Sequence, residues 1–412
     1  MLRKLKLMLM PIAFNCYKVI YWLFNLLPVQ KNKVVATTMR GRKFSDSPRF
    51  IIERLHELNP DLDIVWFVDD RYQYSIPSWV RIVPYYRFGM LRRIYEMATA
   101  KVWINSHMWE VFVLKKKDQL FIQTYHASIS LKKIYLDING VKREGMAYQE
   151  LIRTSRMIDV FISNSLFNDS LIRRAFDYRG DIYRCGFPRN DELISPTEDY
   201  RTVVRKELCL EGKKIFLYAP TFRDEFEKTH HIDYSVYGID FEGVYQALTD
   251  TFGGDWVILV KFHPIMQNFI EEKKYFKQNF VKNVTSYVNM QDLLAAADFV
   301  LTDYSSSVID SAMAGIPGFT IGLDYDRYME DRDLYFKLNE LPFPFARTNE
   351  ELVNNIRNFN IKDYEKRWNE FKKEIGLNET GCAGKYIACQ IEKFLNGEKI
   401  EWVYNKNGIL CK

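Results

Sequence analysis

From residue 33 onward, short apolar runs alternate with stretches in which apolar side chains return every three or four positions. The first pattern reads as buried strands and the second as amphipathic helices. Their alternation is the signal for βαβ units on a parallel sheet. The first series contains KVVATTM (33–39), DIVWFV (63–68), KVWINS (101–106), LFIQTYH (120–126) and DVFISNS (159–165), with helices expected over 46–58, 88–99 and 166–177. Two prolines and several polar turn residues in CGFPRNDELISPTEDY then break the pattern and place a hinge near 190–200. A second series follows with KIFLYAP (214–220), DWVILVKFH (255–263), a short strand near 284–288, DFVLTD (298–303) and PGFTI (317–321), closing in a helical region over 363–396. The expected architecture is α/β, with two facing doubly wound Rossmann-like domains over 30–192 and 193–395. An opening segment, 1–29, precedes them and a tail, 396–412, follows.

At 412 residues with 47% hydrophobic content and 15% aromatics, the chain has enough apolar mass for two cores. Its net charge of +5 is local, because residues 1–45 hold nine Lys or Arg and no Asp or Glu, leaving residues 46–412 at −4. That distribution argues against nucleic-acid binding, which needs basic residues gathered on a folded domain. The opening segment is apolar but is interrupted by Pro11, Asn15, Lys18 and Asn25, and it has no small-residue cleavage site. Lys18 in its middle would cost about 3 kcal/mol in a bilayer centre. With Tyr17, Tyr21 and Trp22 among flanking lysines, the segment reads as an amphipathic helix lying on an anionic leaflet. The expected location is therefore peripheral, on the cytoplasmic face of the cell membrane. The competing reading is a hydrophobic helix packed on its own domain. The six cysteines are scattered without metal-ligand spacing, so free thiols are expected.

Open α/β sheets bind ligands beyond the carboxyl ends of their strands. The residues there form a coherent set: Tyr125 and His126; Pro220, Thr221, Phe222 and Arg223; Lys261, Phe262 and His263; Asp303, Ser305, Ser306 and Ser307. Cations, hydroxyls and imidazoles together suit a polyanion. In DFVLTDYSSSVIDSAMAGIPG (298–318) a strand runs into a serine turn and then a helix, whose free N–H groups and dipole favour a diphosphate. His126 and His263 are placed to move protons near neutrality. His56, His107, His230 and His231 read as structural or surface residues. Asp303 and Asp310 offer an alternative in which Mg²⁺ bridges carboxylates and phosphates. No paired acidic cluster accompanies them, and no obligatory cofactor is expected.

Five motifs, QTYHASISLKK (123–133), NSLFNDSLIRRAF with CGFPRND (164–176, 185–191), YAPTFRD (218–224), KFHP (261–264) and DLLAAADFVLTDYSSSVIDSAMAGIP (292–317), occur in an order that resembles the CDP-glycerol glycerophosphotransferases of teichoic-acid and capsule assembly. The resemblance spans roughly residues 33–395 and implies the two-domain GT-B architecture. It implies that His126 and His263 are the two essential histidines. It also implies that a CDP-linked donor is held by Arg189, Pro220, Thr221, Lys261 and the run Ser305 to Asp310. In place of the family's Trp-His-Gly-Thr-Pro-Leu-Lys pattern the chain reads Tyr125-His126-Ala127-Ser128-Ile129-Ser130-Leu131-Lys132. The histidine is kept and its loop differs.

The implied reaction is attack by an acceptor hydroxyl on the phosphorus bearing the glycerol, with departure of CMP. His126 is the expected base on the acceptor side. His263, Arg223, Lys261 and the serine turn are expected to neutralise the leaving phosphate. The acceptor would be a cell-surface polymer or its lipid-linked precursor. The alternatives are CDP-ribitol as donor, a GT-B glycosyltransferase using a nucleotide sugar, or a catalytically silent scaffold.

Overall fold

The computed structural model describes residues 15–71, 75–86, 89–108, 112–195, 200–229, 231–287 and 289–403. The chain forms two compact units. The first comprises the described residues of Met1–His126, Val141–Arg189 and Cys382–Lys412, and the second those of Ala127–Gly140 and Asn190–Gly381. The division is therefore discontinuous, with exchanges after His126, Gly140 and Gly381 besides the one at 189/190.

The first unit holds seven parallel strands, β1 (Gln30–Thr37), β2 (Asp63–Val68), β3 (Arg81–Pro84), β4 (Ala100–Asn105), β5 (Leu120–Gln123), β6 (Val160–Ser163) and β7 (Asp181–Arg184), in the order β3-β2-β1-β4-β5-β6-β7. Val34 of β1 lies opposite Ile64 of β2 and Val102 of β4, and all three are buried. Full burial explains why these strands read as continuous apolar runs rather than as alternations. Helices Asp46–Leu58 and Ala383–Leu395 pack together and seat Ile51, Ile52, Leu55, Ile387 and Ile391 in that core. The strand order reverses between β1 and β4, and the exits of these two strands lie next to that of β5.

Neither β3 nor β7 was anticipated. Both are four-residue edge strands, and their ends carry charge: Arg81 pairs with Asp63 at 2.7 Å and Glu96 at 2.5 Å, and Arg184 with Asp169 at 2.9 Å. Pro84, unable to donate to a ladder, is tolerated at an edge.

Of the opening segment, residues 1–14 lie outside the described residues. Residues 15–24 are helical and bury Tyr17 and Tyr21, the latter edge-to-face on Phe112 at 6.4 Å. Val19, Trp22 and Leu23 on the same helix are each more than half exposed. Among the described residues no helix is long and apolar enough to cross a membrane. Free thiols occur at Cys16, Cys185, Cys209 and Cys382, whereas Cys389 departs from expectation in being disulfide-bonded.

The second unit holds six parallel strands, β8 (Lys214–Tyr218), β9 (Trp256–Val260), β10 (Val281–Asn283), β11 (Phe299–Thr302), β12 (Gly318–Ile321) and β13 (Phe345–Ala346), in the order β10-β9-β8-β11-β12-β13. Phe216, Ile258, Leu301 and Phe319 fill one face of the sheet, while Ile215, Leu217, Val257 and Leu259 fill the other. The order reverses between β8 and β11, which places the loops after Tyr218 and Thr302 side by side. A methyl group added at Gly318 of β12 would meet Val308 at 2.4 Å, so the helix Ser307–Met313 is held tight against its sheet.

Candidate active site

In the first unit the strand exits converge on His126. β5 ends at Gln123, whose side chain accepts the Tyr125 N–H at 3.0 Å, and Tyr125 turns the chain through φ +54°. The His126 ring lies flat on His107, with centroids 4.5 Å apart and planes 8° from parallel. His107 Nδ1 accepts the Met39 N–H at 3.3 Å and lies 3.1 Å from Ser106 Oγ, which is itself 2.6 Å from Thr38 Oγ1. The buried Arg189 donates from Nη1 to the His126 carbonyl at 2.5 Å and stands 3.8 Å from Asp46. Met39, Arg40 and Asp46, like Tyr125, adopt positive φ, at 44°, 59° and 65°. Backbone strain of this kind collects where surrounding structure enforces a functional geometry. Gly41 belongs to the same turn, because a side chain there would lie 2.7 Å from Asp69 N.

Burial holds the His126 pKa below its ordinary value; Asp46 and a backbone hydrogen bond to Ser106 oppose the shift, while Arg189 adds to it. His107 is pushed down further, by burial first and then by His126, Arg40 and Arg42. His126 Nδ1 is buried without a hydrogen-bond partner. The site therefore holds a neutral imidazole able to accept a proton. The strand ends do not point to Asp46; the resemblance gives Arg189 to the donor, and the structure sets its guanidinium against the His126 carbonyl and near Asp46.

In the second unit Arg223 is fully engaged. Its Nε and Nη2 donate to Asp324 at 2.8 and 3.0 Å, and its Nη1 donates to Asp303 at 2.8 Å and to the Thr221 carbonyl at 2.6 Å. Asp303 also accepts the N–H groups of Thr221 at 2.7 Å and Tyr304 at 2.6 Å. The guanidinium faces the rings of Tyr304 and Tyr328, which stack on each other at 3.6 Å. Burial disfavours its charge, yet Asp303 and Asp324 outweigh this and hold its pKa above the usual arginine range. Arg223 and Asp303 thus lock the exits of β8 and β11 together. Lys261 is similarly turned inward, donating to the carbonyls of Thr285 and Tyr287, and the Phe262 ring lies in the core edge-to-face on Tyr237.

The groups left facing outward are fewer. His263 is exposed, caps the 3-10 helix Pro264–Phe269 by accepting the Ile265 N–H at 3.4 Å, and meets the Phe222 ring at 5.4 Å. Ser305 Oγ accepts the Ser307 N–H at 3.3 Å, while Ser306, the N-cap of the helix Ser307–Met313, makes no side-chain cap. The cap is thus made one residue earlier than a simple N-cap would have it. Thr221 Oγ1 and Ser307 Oγ are buried without hydrogen-bond partners, Pro220 just after β8 is buried, and Asp310 is buried one turn further along the helix. A cavity of about 800 Å³ opens beside Arg223, walled by Phe222, Ile232, Met266, Arg327 and Tyr328. Among the described residues no cluster of three His, Cys, Asp or Glu is suited to a metal ion.

The comparisons with known proteins agree with a fold of two parallel sheets. The chain is 30% identical over 386 residues to a teichoic acid glycerol-phosphate transferase of Staphylococcus aureus, covering 90% of this chain and 96% of that protein. It is 25% identical to a teichoic acid poly(glycerol phosphate) polymerase of Bacillus subtilis, covering 88% of this chain but 48% of that one, so it spans about half the length of this relative. A teichoic acid ribitol-phosphate primase of Bacillus spizizenii is 26% identical, with 90% and 93% covered. The fold matches the solved wall teichoic acid polymerase TagF with a TM-score of 0.80 at 24% identity, over 96% of this chain and 98% of that one. Residues 19–391 match a single family model that takes in both sheets and both histidine sites, and the chain belongs to that family, the CDP-glycerol:poly(glycerophosphate) glycerophosphotransferases.

Proposed function

We propose that this chain transfers glycerol phosphate from CDP-glycerol to the terminal hydroxyl of a polyol-phosphate polymer or its lipid-linked precursor, releasing CMP. The observation that carries the reading is the set of polar groups at the switch point of the second sheet, two buried hydroxyls beside an exposed imidazole. There the unpartnered hydroxyls of Thr221 and Ser307 and the exposed imidazole of His263 stand on a framework fixed by Arg223, Asp303 and Lys261. Hydroxyls and backbone N–H groups suit the diphosphate, and His263 supplies a proton to the departing CMP phosphate. His126 takes the proton of the acceptor hydroxyl. Phosphoryl transfer depends chiefly on such positioning and charge stabilisation.

The exposed Val19, Trp22 and Leu23, on a helix whose other face is anchored by Tyr17 and Tyr21, support a peripheral site of action on an anionic membrane surface. The test of function is incubation of the purified protein with CDP-glycerol and CDP-ribitol separately, with and without lipid-linked acceptor, measuring CMP release and product linkage. Glycerol-dependent CMP release with a phosphodiester product is expected. Release from CDP-ribitol alone changes the donor, a glycosidic product changes the reaction class, and no release from either leaves a non-catalytic scaffold.

A further inference from the structure

The stacked pair His107 and His126 is a cluster of titratable side chains in the first unit that the reaction as described uses only in half. We propose that His107 is a positioning residue for His126: its ring covers one face of the His126 imidazole, excludes water from it and fixes its orientation. The inference rests on the reading of His126 as the base.

The geometry is specific. Parallel rings at 4.5 Å leave no room for water between them. His107 is itself held by the Met39 N–H, and Tyr125 closes on His126 at 4.3 Å. The neighbouring charges come from three elements. Arg40 and Arg42 lie in the turn after β1, Asp46 begins the helix Asp46–Leu58, and Arg189 follows β7. Asp46 favours an imidazolium at His126 and Arg189 opposes it, the two standing 3.8 Å apart. With these opposed, burial decides the protonation state, and His107 supplies a face of that burial. A base must be unprotonated at working pH, so the cover keeps His126 ready to accept a proton at pH values where an exposed imidazole would be charged.

Two substitutions separate the ring from the hydrogen bond. His107→Gln retains an acceptor for the Met39 N–H and removes the ring; His107→Phe retains a flat ring and removes the acceptor. The His126 titration is read directly by NMR on ¹³C-labelled histidine in each protein, alongside the pH profile of kcat. In H107Q the His126 titration should rise toward the ordinary 6.5, and the acid limb of kcat should rise with it. Loss of orientation should lower kcat roughly 10- to 100-fold with little change in the KM for the donor. H107F should keep the low titration and most of the turnover. An unmoved His126 titration in H107Q, or a shift in H107F as large as in H107Q, overturns the proposal. If H107Q does not fold, H107F still decides, because a raised His126 titration in it contradicts the role of the ring. A shifted NMR titration with an unshifted acid limb supports the cover and instead removes His126 as the base.

Discussion

Replacing Arg223 with Met tests whether the second unit is organised by one buried cation. The substitution keeps the apolar stem and leaves Asp303 and Asp324 facing each other, with side chains 4% and 9% exposed. Removing one partner of a buried pair costs about 3–5 kcal/mol, because the other charge is left uncompensated. Asp303 would keep the N–H groups of Thr221 and Tyr304, and Asp324 the Tyr304 hydroxyl, so the lower end, about 3 kcal/mol, is expected. That is a large share of a typical stability of about 5–15 kcal/mol. Urea unfolding of wild type, Arg223→Met, Asp324→Asn and the double variant measures it. The double variant should be more stable than Arg223→Met alone, since a neutral amide at position 324 no longer repels Asp303, and the coupling should be about 0.5–3 kcal/mol. An Arg223→Met protein within about 0.5 kcal/mol of wild type, the range of an ordinary surface change, refutes the reasoning. So does a double variant whose losses simply add.

Three further outcomes follow from the same geometry. His126→Ala should lose about 10²- to 10⁴-fold in turnover while still binding CDP-glycerol by calorimetry, and near-normal turnover would remove His126 from the chemistry. Because burial lowers the folded-state pKa of both His126 and His107, the unfolded chain takes up protons below pH 6.5 that the folded chain refuses, and stability falls as pH drops. The limiting slope is about 2.7 kcal/mol per pH unit for two such groups. A flat urea midpoint between pH 7 and 5.5 contradicts this. Trp22→Ser with Leu23→Ser should weaken sedimentation with anionic vesicles while leaving CMP release in detergent intact; unchanged vesicle binding places the membrane contact elsewhere.

The buried strands β1, β2, β4, β5, β6, β8, β9, β11 and β12 were legible because a parallel strand covered on both faces must be apolar along its length. β3 and β7 were not, since their few residues include Arg81, Pro84 and Arg184, whose partners lie in other elements. The short β13, Phe345–Ala346, carries too little pattern to read. The same limit applied to the site. Thr221, His263 and the serine turn do lie just after β8, β9 and β11, as their strand-end positions in the sequence indicate. Such positions could not tell a free cation from a paired one, because the acids that occupy Arg223 are 80 and 101 residues away in sequence. The stacking of His107 on His126 was not legible, because nothing in its local sequence shows that the exits of β4 and β5 are neighbours. Pairing across a sheet is a property of the fold, and it decides which of the charged residues remain available.

The helix Ala383–Leu395, seated in the first unit beside Asp46–Leu58, also has a meaning for biogenesis. Most of the second unit, Asn190–Gly381, separates it from Arg189. At ~5–20 residues per second on a ribosome, the first sheet waits about 10–40 s for its last layer. During that interval the apolar positions of Ile51, Ile52 and Leu55 have no Ile387 or Ile391 to cover them. The part of the chain made first is completed last, and a chaperone that shields this one helix face would act in that window.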